Sequence, residues 1–325
     1  MDAPDHPLAP AWADAFSPGA RPPAAQLWAN EARPWSEQLI AHYLQAYSAP
    51  GDLVLDPFAA QAPLPLAANT SRRRIWLSHF SPAAILAVRA SAAAPARSLL
   101  DSVFSRIADA PRRGRTLGHN LRALYESVCP ECAQSCTIRY FIWERDAGEP
   151  VEKGYTCPHC HSAGQAPVDM SDMDLASSLE VRGAAYWGLL SRLVAPGDPA
   201  TDQARALLDL YAPRALQVIA ELLTAIEQRL NDPDELHLGR ALVLHVLQRC
   251  ISLHAHPEIW QLLDRPLLPP ARFVEHNAWL AFEHAYRTLR ERPAATLRLA
   301  SDRASLLAPL GVGAAEPVDG LVRIT

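Results

Sequence analysis

The sequence predicts an α/β chain, with a small parallel sheet interrupted by a cysteine-held ribbon and a helical region. Three observations carry this. Short apolar strands alternate with helical patterns across residues 31–94, and strand patterns return in residues 293–325. Two Cys-x-x-Cys pairs stand mid-chain, at Cys129/Cys132 and Cys157/Cys160. Apolar residues at helical spacing dominate residues 163–292.

Composition sets the outer limits. A length of 325 residues suggests two domains, or one with an insertion. Hydrophobic residues at 49% and charged residues at 20% exclude wholesale disorder. The net charge of −5 excludes a generally basic nucleic-acid binder, so any DNA contact must use local arginine patches. No run of apolar residues is long enough to span a membrane. The start, Met1-Asp2-Ala3-Pro4-Asp5-His6, lacks the basic and apolar regions of a secretory signal, so a cytoplasmic location is expected. Lysine occurs once, at Lys153, and nearly all positive charge is arginine. With abundant alanine and 29 prolines, this reads as coding bias rather than function.

The elements follow in order. Residues 1–30 read as an irregular Pro- and Ala-rich arm. Ser36 can cap a helix to about Ser48, with Leu39, Ile40, Tyr43, Leu44 and Tyr47 on its apolar face. Pro50-Gly51 breaks it. Asp52 to Asp56 is a short strand ending in a carboxylate, and Pro57 to Ala68 turns into a second helix. Arg74 to Ser78 is a second strand, and Ser81-Pro82 opens a third helix through Ala92. This spacing implies parallel strands joined by a right-handed crossover. Ligands in such folds sit beyond the carboxyl ends of the strands.

Residues 95–127 read as a helical connector around the basic turn Pro111-Arg112-Arg113-Gly114-Arg115. That turn, like Arg72-Arg73-Arg74, could meet phosphates, although a solvated loop is the commoner use. Residues 128–162 read as a zinc ribbon. Each Cys-x-x-Cys puts two thiolates on one turn, and two facing turns complete a tetrahedral sulfur shell suited to zinc. Thr137 to Trp143 reads as one strand, Asp146 to Pro150 as a turn, and Val151 to Thr156 as the return strand. Cys136, His159 and His161 could substitute as ligands, but the symmetric pairs favour Cys129, Cys132, Cys157 and Cys160. The ribbon's role stays open between a structural staple and a nucleic-acid contact, with Arg139 and Arg145 suited to either.

Ala163 to Ser171 reads as a linker. Helices are expected near 172–194, 202–210, 213–230, 234–255 and 277–291, forming a candidate target-recognition region. Leu216, Ile219, Ala220, Leu223 and Ile226 form a core stripe. His245, Cys250, His254 and His256 read as scattered core and surface residues rather than a second metal site. Strand patterns return at 296–300 and 318–324.

The stretch Gly51-Asp52-Leu53-Val54-Leu55-Asp56-Pro57-Phe58-Ala59 resembles the S-adenosylmethionine motif of amino-group DNA methyltransferases, which modify N6 of adenine or N4 of cytosine. Trp35 to Ile40 resembles the family's preceding cofactor-binding segment, and Ser81-Pro82-Ala83-Ala84 the segment after its second strand. Tyr211-Ala212-Pro213-Arg214 and Asn277 to Glu283 resemble patterns of zinc-ribbon-bearing members. The resemblance implies a partial Rossmann-like domain from residues 31–94 and 293–325. It implies cofactor contacts at Asp56, Pro57, Phe58, Ala60, His79 and Asp302. The sequence departs from the family in two places. The glycine-rich turn reads Ala59-Ala60-Gln61-Ala62-Pro63, and His79 stands where the family carries an acid.

In the family a strand like Val318 to Ile324 runs into a catalytic Asp-Pro-Pro-Tyr, which this sequence does not contain. The final strand is therefore expected to leave an unpaired edge, with the chain either truncated or completed by a second polypeptide. Two functions follow. One is the N-terminal portion of a DNA methyltransferase, inactive alone. The other is a non-catalytic DNA- or protein-binding module on a degenerate methyltransferase scaffold.

Overall fold

The computed structural model describes residues 27, 37–58, 64, 67–68, 71–92, 96–258, 268–291, 298–300 and 321–324. The chain divides into two compact units, residues 1–94 with 293–325, and residues 95–292. Apart from Leu27, the expected arm at 1–30 lies outside the described residues, as does most of the helix expected from Pro57 to Ala68.

In the first unit, helix α1 (Glu37–Tyr47) precedes strands β1 (Leu53–Asp56) and β2 (Arg74–Leu77) and helix α2 (Pro82–Ala92). Leu44, Ala68, Ile75, Leu77 and Val88 form its core, with Ile40, Val54 and Leu64 packed against them. Arg73 is buried. Its guanidinium donates to the carbonyls of Leu44 (3.1 Å), Ser48 (2.6 Å) and Ser71 (2.6 Å). The bonds to Leu44 and Ser48 tie the start of β2 to the C-terminal end of α1. The Arg72-Arg73-Arg74 cluster is thus partly turned inward, with Arg74 also bonded to the Gly51 carbonyl at 3.1 Å.

The second unit opens with α3 (Arg97–Ala108), which buries Leu100, Val103 and Ile107 at helical spacing. The basic turn is a hairpin of β3 (Pro111–Arg112) and β4 (Arg115–Thr116). Arg113 (φ 48°) and Gly114 (φ 76°) form its tip in left-handed backbone, as a tight primed turn requires. Helix α4 (Leu117–Ala123) follows, capped by the Thr116 hydroxyl, which accepts the His119 N–H at 3.3 Å.

Next come β5 (Glu126–Val128), β6 (Ser135–Glu144), β7 (Glu149–Thr156) and β8 (Ala163–Pro167). All pair antiparallel in the order β5-β6-β7-β8. β8 corrects the expected linker at 163–171. Its residues, Ala-Gly-Gln-Ala-Pro, carry little strand propensity, and pairing with β7 from Ala163↔Thr156 to Pro167↔Glu152 makes the strand.

The helices are α5 (Met170–Ser177), α6 (Ala184–Leu193), α7 (Thr201–Leu208), α8 (Pro213–Arg229) and α9 (Pro233–Cys250). The helix expected over 172–194 is interrupted at 178–183, where Gly183 starts the next one. On α8 the buried apolar set is Ala215, Leu216, Val218, Ile219, Leu222, Ala225 and Ile226, so the expected stripe is rotated toward Leu222. The expected helix over 234–255 stops at Cys250, and Ile251 bridges to Tyr211.

A strand not expected from sequence, β9 (Arg272–His276), then joins β6 antiparallel before α10 (Ala278–Glu291). It lies on the same edge of β6 as β5, taking positions Tyr140 to Glu144 while β5 takes Ser135 to Thr137. Buried Glu275 and His276 had obscured its alternation.

The first unit ends with β10 (Arg298–Ala300) and β11 (Leu321–Ile324). Its four described strands are parallel, in the order β1-β2-β11-β10. This corrects the expectation of a final edge strand, because β11 pairs with β2 on one side and β10 on the other. No helix among the described residues is long and apolar enough to cross a membrane.

Candidate metal centre

The antiparallel sheet brings four cysteines together. Cys129 and Cys132 lie in the β5–β6 turn, and Cys157 and Cys160 in the β7–β8 turn. Antiparallel pairing of β6 with β7 places both turns at one end of the sheet. The turns share one backbone design. Cys129 N–H donates to the Gln134 carbonyl and Cys157 N–H to the Ser162 carbonyl, each at 2.8 Å. Ala133 (φ 57°) and His161 (φ 59°) hold the same left-handed position in each turn.

The four Sγ atoms all lie within 4.8 Å of one another. Cys129 and Cys160 are 3.7 Å apart, and Cys132 and Cys157 are 3.5 Å apart. A tetrahedron with zinc–sulfur bonds of about 2.3 Å has edges of about 3.8 Å, whereas a disulfide requires about 2.05 Å. The spacing therefore fits a metal cage and not two disulfides, and all four thiols are free. Burial pushes the Cys129 thiol up, but the Cys132 and Glu131 amides and the Ser162 hydroxyl draw it down to about 6. At Cys132 the Gln134 amide pulls downward. Burial and the neighbouring thiols outweigh it and push this group up to about 12. Such crowding of like charges is what a divalent cation relieves.

Cys136, His159 and His161 are not members of this group. Cys136 is buried on β6, and that burial raises its thiol to about 11. No second cluster of ligands that could hold a metal occurs among the described residues, so His245, Cys250, His254 and His256 form none.

Two buried charge clusters flank the same sheet, and neither was expected from sequence. Lys153 is 2% exposed and donates to Ser127 Oγ (2.6 Å), Asp169 Oδ2 (2.5 Å) and Asp172 Oδ2 (2.6 Å). It ties β7 to β5 and to the capping box that starts α5. The signal was present in the sequence, since a chain rich in arginine keeps lysine at one position only. A compact ammonium directs three donors at three acceptors, which a planar guanidinium does not. Arg214, also buried, lies over the rings of Phe141 (4.4 Å) and Tyr125 (5.3 Å), with Glu275 at 3.7 Å. Trp143 Nε1 donates to Glu275 at 2.6 Å, and burial raises the Glu275 carboxyl.

The candidate cofactor residues divide in two. Ala60 and Asp302 lie outside the described residues. Asp56, Pro57, Phe58 and His79 gather at the carboxyl ends of neighbouring strands β1 and β2, where Ser78 N–H donates to the Asp56 carbonyl at 3.0 Å. Asp56 Oδ1 accepts the Phe58 N–H at 3.0 Å, and His79 Nδ1 accepts the Ser81 N–H at 2.9 Å. Each side chain thus also closes its own turn. Phe58 and Phe80 are 74% and 88% exposed beside them.

Many arginines of the second unit meet internal partners. Arg106 pairs with Glu235, Arg112 with Glu221, Arg122 with Glu283 and Arg290 with Asp101. Arg145 donates to the Pro270 and Ser252 carbonyls at 2.9 and 2.7 Å. Comparison of the chain with protein-family models, curated proteins and solved structures finds no match.

Proposed function

We propose that this protein is a zinc-stapled binding module on a degenerate DNA methyltransferase-like scaffold. The observation that carries the zinc reading is the four-sulfur cage at one end of the antiparallel sheet. Four protein thiolates close the coordination shell, so the metal acts structurally rather than as a Lewis acid with an open position. In this reading residues 128–162 are a zinc ribbon, whose β6 is extended by β9 into the helical region. The metal pins one end of that sheet and the Lys153 cluster supports the adjoining edge. This favours the staple over a free contact module. Binding, rather than methyl transfer, is favoured by the turn-closing roles of Asp56 and His79.

The test is metal content and its consequence. Protein purified without added metal should carry one zinc per chain by mass spectrometry, and a strong chelator should lower the melting temperature. Metal-free protein with an unchanged melt would remove the staple.

A second reading, S-adenosylmethionine binding by a methyltransferase portion, rests on a specific juxtaposition. Asp56 and His79 end adjacent parallel strands, with exposed Phe58 and Phe80 able to flank a planar base. Against it, β1 is an edge strand among the described residues, in the order β1-β2-β11-β10, whereas a doubly wound sheet keeps its first strand inside, next to the ligand crevice. Calorimetric titration with S-adenosylmethionine decides. Saturable binding supports the second reading, and none at millimolar ligand removes it. DNA as the partner of the inserted region is tested by a mobility shift at low salt, and a second polypeptide completing the sheet by co-purification.

A further inference from the structure

Within the second unit a cleft of about 560 Å³ opens between the β6–β7 hairpin, the end of α5 and the α7–α8 connection. Its size is that of a ligand or side-chain pocket. The floor is apolar. Trp143 and Phe273 stack with centroids 6.1 Å apart and planes at 13°, and Met173 lines the α5 side. Arg145 reaches this floor, but its guanidinium is spent on the Pro270 and Ser252 carbonyls and lies 4.5 Å over Phe273. It keeps its positive charge, set against three carboxylates that also line the cleft.

The opening is acidic. Glu149, Glu180 and Asp209 all line the cleft and are exposed. Asp209 is answered by Arg182 at 3.0 Å. The other two make no ion pair among the described residues. A phosphate backbone would be repelled here, and a cation is favoured.

The concavity does not end at one pocket. A second hollow of about 180 Å³ shares Leu179, Glu180, Val181 and Pro213 with the first. The segment at 178–183 therefore forms a ridge between two depressions. Val181 on that ridge is 70% exposed, and Met170, one turn before Met173 on α5, is 75% exposed. Two hollows separated by a ridge suit an extended chain that places separated side chains in each.

We infer that this groove binds an extended basic segment of a partner protein. Its apolar side chains would enter the Trp143–Phe273 pocket and the smaller hollow, and its arginine or lysine would meet Glu149 and Glu180. The inference rests on the binding reading above and identifies the partner as a basic, apolar peptide rather than nucleic acid. It does not require zinc to be the metal or the first unit to bind cofactor.

The test uses the full chain in its purified, metal-loaded form. Fluorescence anisotropy is measured with a labelled hexapeptide alternating arginine and leucine, and with the same peptide carrying glutamate for arginine. Saturable binding of the basic peptide alone is expected. Glu149→Lys with Glu180→Lys should weaken it by at least about tenfold. Asp202→Lys with Glu258→Lys, the same change in net charge at exposed positions outside the groove, should leave it within about twofold. Val181→Asp, at an exposed position, should also weaken it while the melt is unchanged. Equal loss from both charge pairs, equal binding of the acidic peptide, or no saturable binding would overturn the inference. So would equally tight binding of free arginine amide, which would mark a small-cation site. Failure with one zinc per chain and an intact melt sinks the groove alone. Failure together with absent metal sinks the zinc staple as well.

Discussion

Replacing Lys153 with methionine should unfold the second unit more readily than any surface change. The ammonium is 2% exposed and meets three acceptors at 2.5–2.6 Å. Its two carboxylate partners differ. The Asp169 side chain is 39% exposed and can rehydrate, whereas that of Asp172 is 1% exposed and cannot. Lys153→Met therefore leaves one buried carboxylate uncompensated, which costs about 3–5 kcal/mol. At about 2–4 °C per kcal/mol for a domain of this size, the melting midpoint falls by roughly 6–20 °C.

Lys153→Arg keeps the charge but not the geometry and should lose an intermediate amount. Adding Asp172→Asn to Lys153→Met should recover part of the loss, because the stranded charge is gone while the cap acceptor stays. The assay is urea unfolding with zinc present. A midpoint for Lys153→Met corresponding to less than about 0.5 kcal/mol of destabilisation would refute the reasoning. The pH dependence adds a check. Burial pushes the Asp169 carboxyl up, but bonds from Lys153 and Ser171 more than reverse this and hold it at about 2. Its stabilisation is complete above the unfolded value near 4 and is lost as pH falls from there toward 2. Lys153→Met should flatten that part of the stability profile.

Four further outcomes follow from the same sheet. Cys129→Ser or Cys157→Ser should abolish stoichiometric zinc, whereas Cys136→Ser should retain it, as read by mass spectrometry of the purified variants. His276 is buried, and burial holds its imidazole well below its ordinary range. The unfolded chain takes up that proton near pH 6.5 and the folded chain does not, so stability should decline as pH falls from about 7 to 5. His276→Gln should lessen that slope in urea titrations. A Cβ at Gly154 would clash with the Tyr140 ring, so Gly154→Ala should cost about 1–3 kcal/mol, partly recovered by Tyr140→Val. Arg214→Met alone strands buried Glu275 and should cost about 3–5 kcal/mol, while Arg214→Met with Glu275→Gln should cost far less in the same unfolding assay.

Much of the chain was legible because its signals are local. Pro50-Gly51 stops α1, Pro82 starts α2 at its first helical position, and Pro213 and Pro233 do the same for α8 and α9. The Cys-x-x-Cys spacing contains its own geometry, since each pair needs only one turn to aim two sulfurs the same way. Strands β1, β2 and β6 are runs rich in β-branched and apolar residues, and β7 is marked by the turn cluster that precedes it. The helix expected over 172–194 failed at 178–183 because apolar spacing continues across a break that Gly183 makes.

Sequence by itself determined the order of most elements and the four cysteines that could hold a metal, because turn chemistry and side-chain period act over a few residues. Tertiary structure alone decided what long-range pairing decides. β9 joins β6 across more than a hundred residues, and β8 becomes a strand only because β7 offers it an edge. β11 takes the place between β2 and β10, Lys153 meets carboxylates from α5, and an acidic groove opens where three loops converge. Each depends on which surfaces meet, and hydrogen bonds or charges between distant segments leave no periodic trace along the chain.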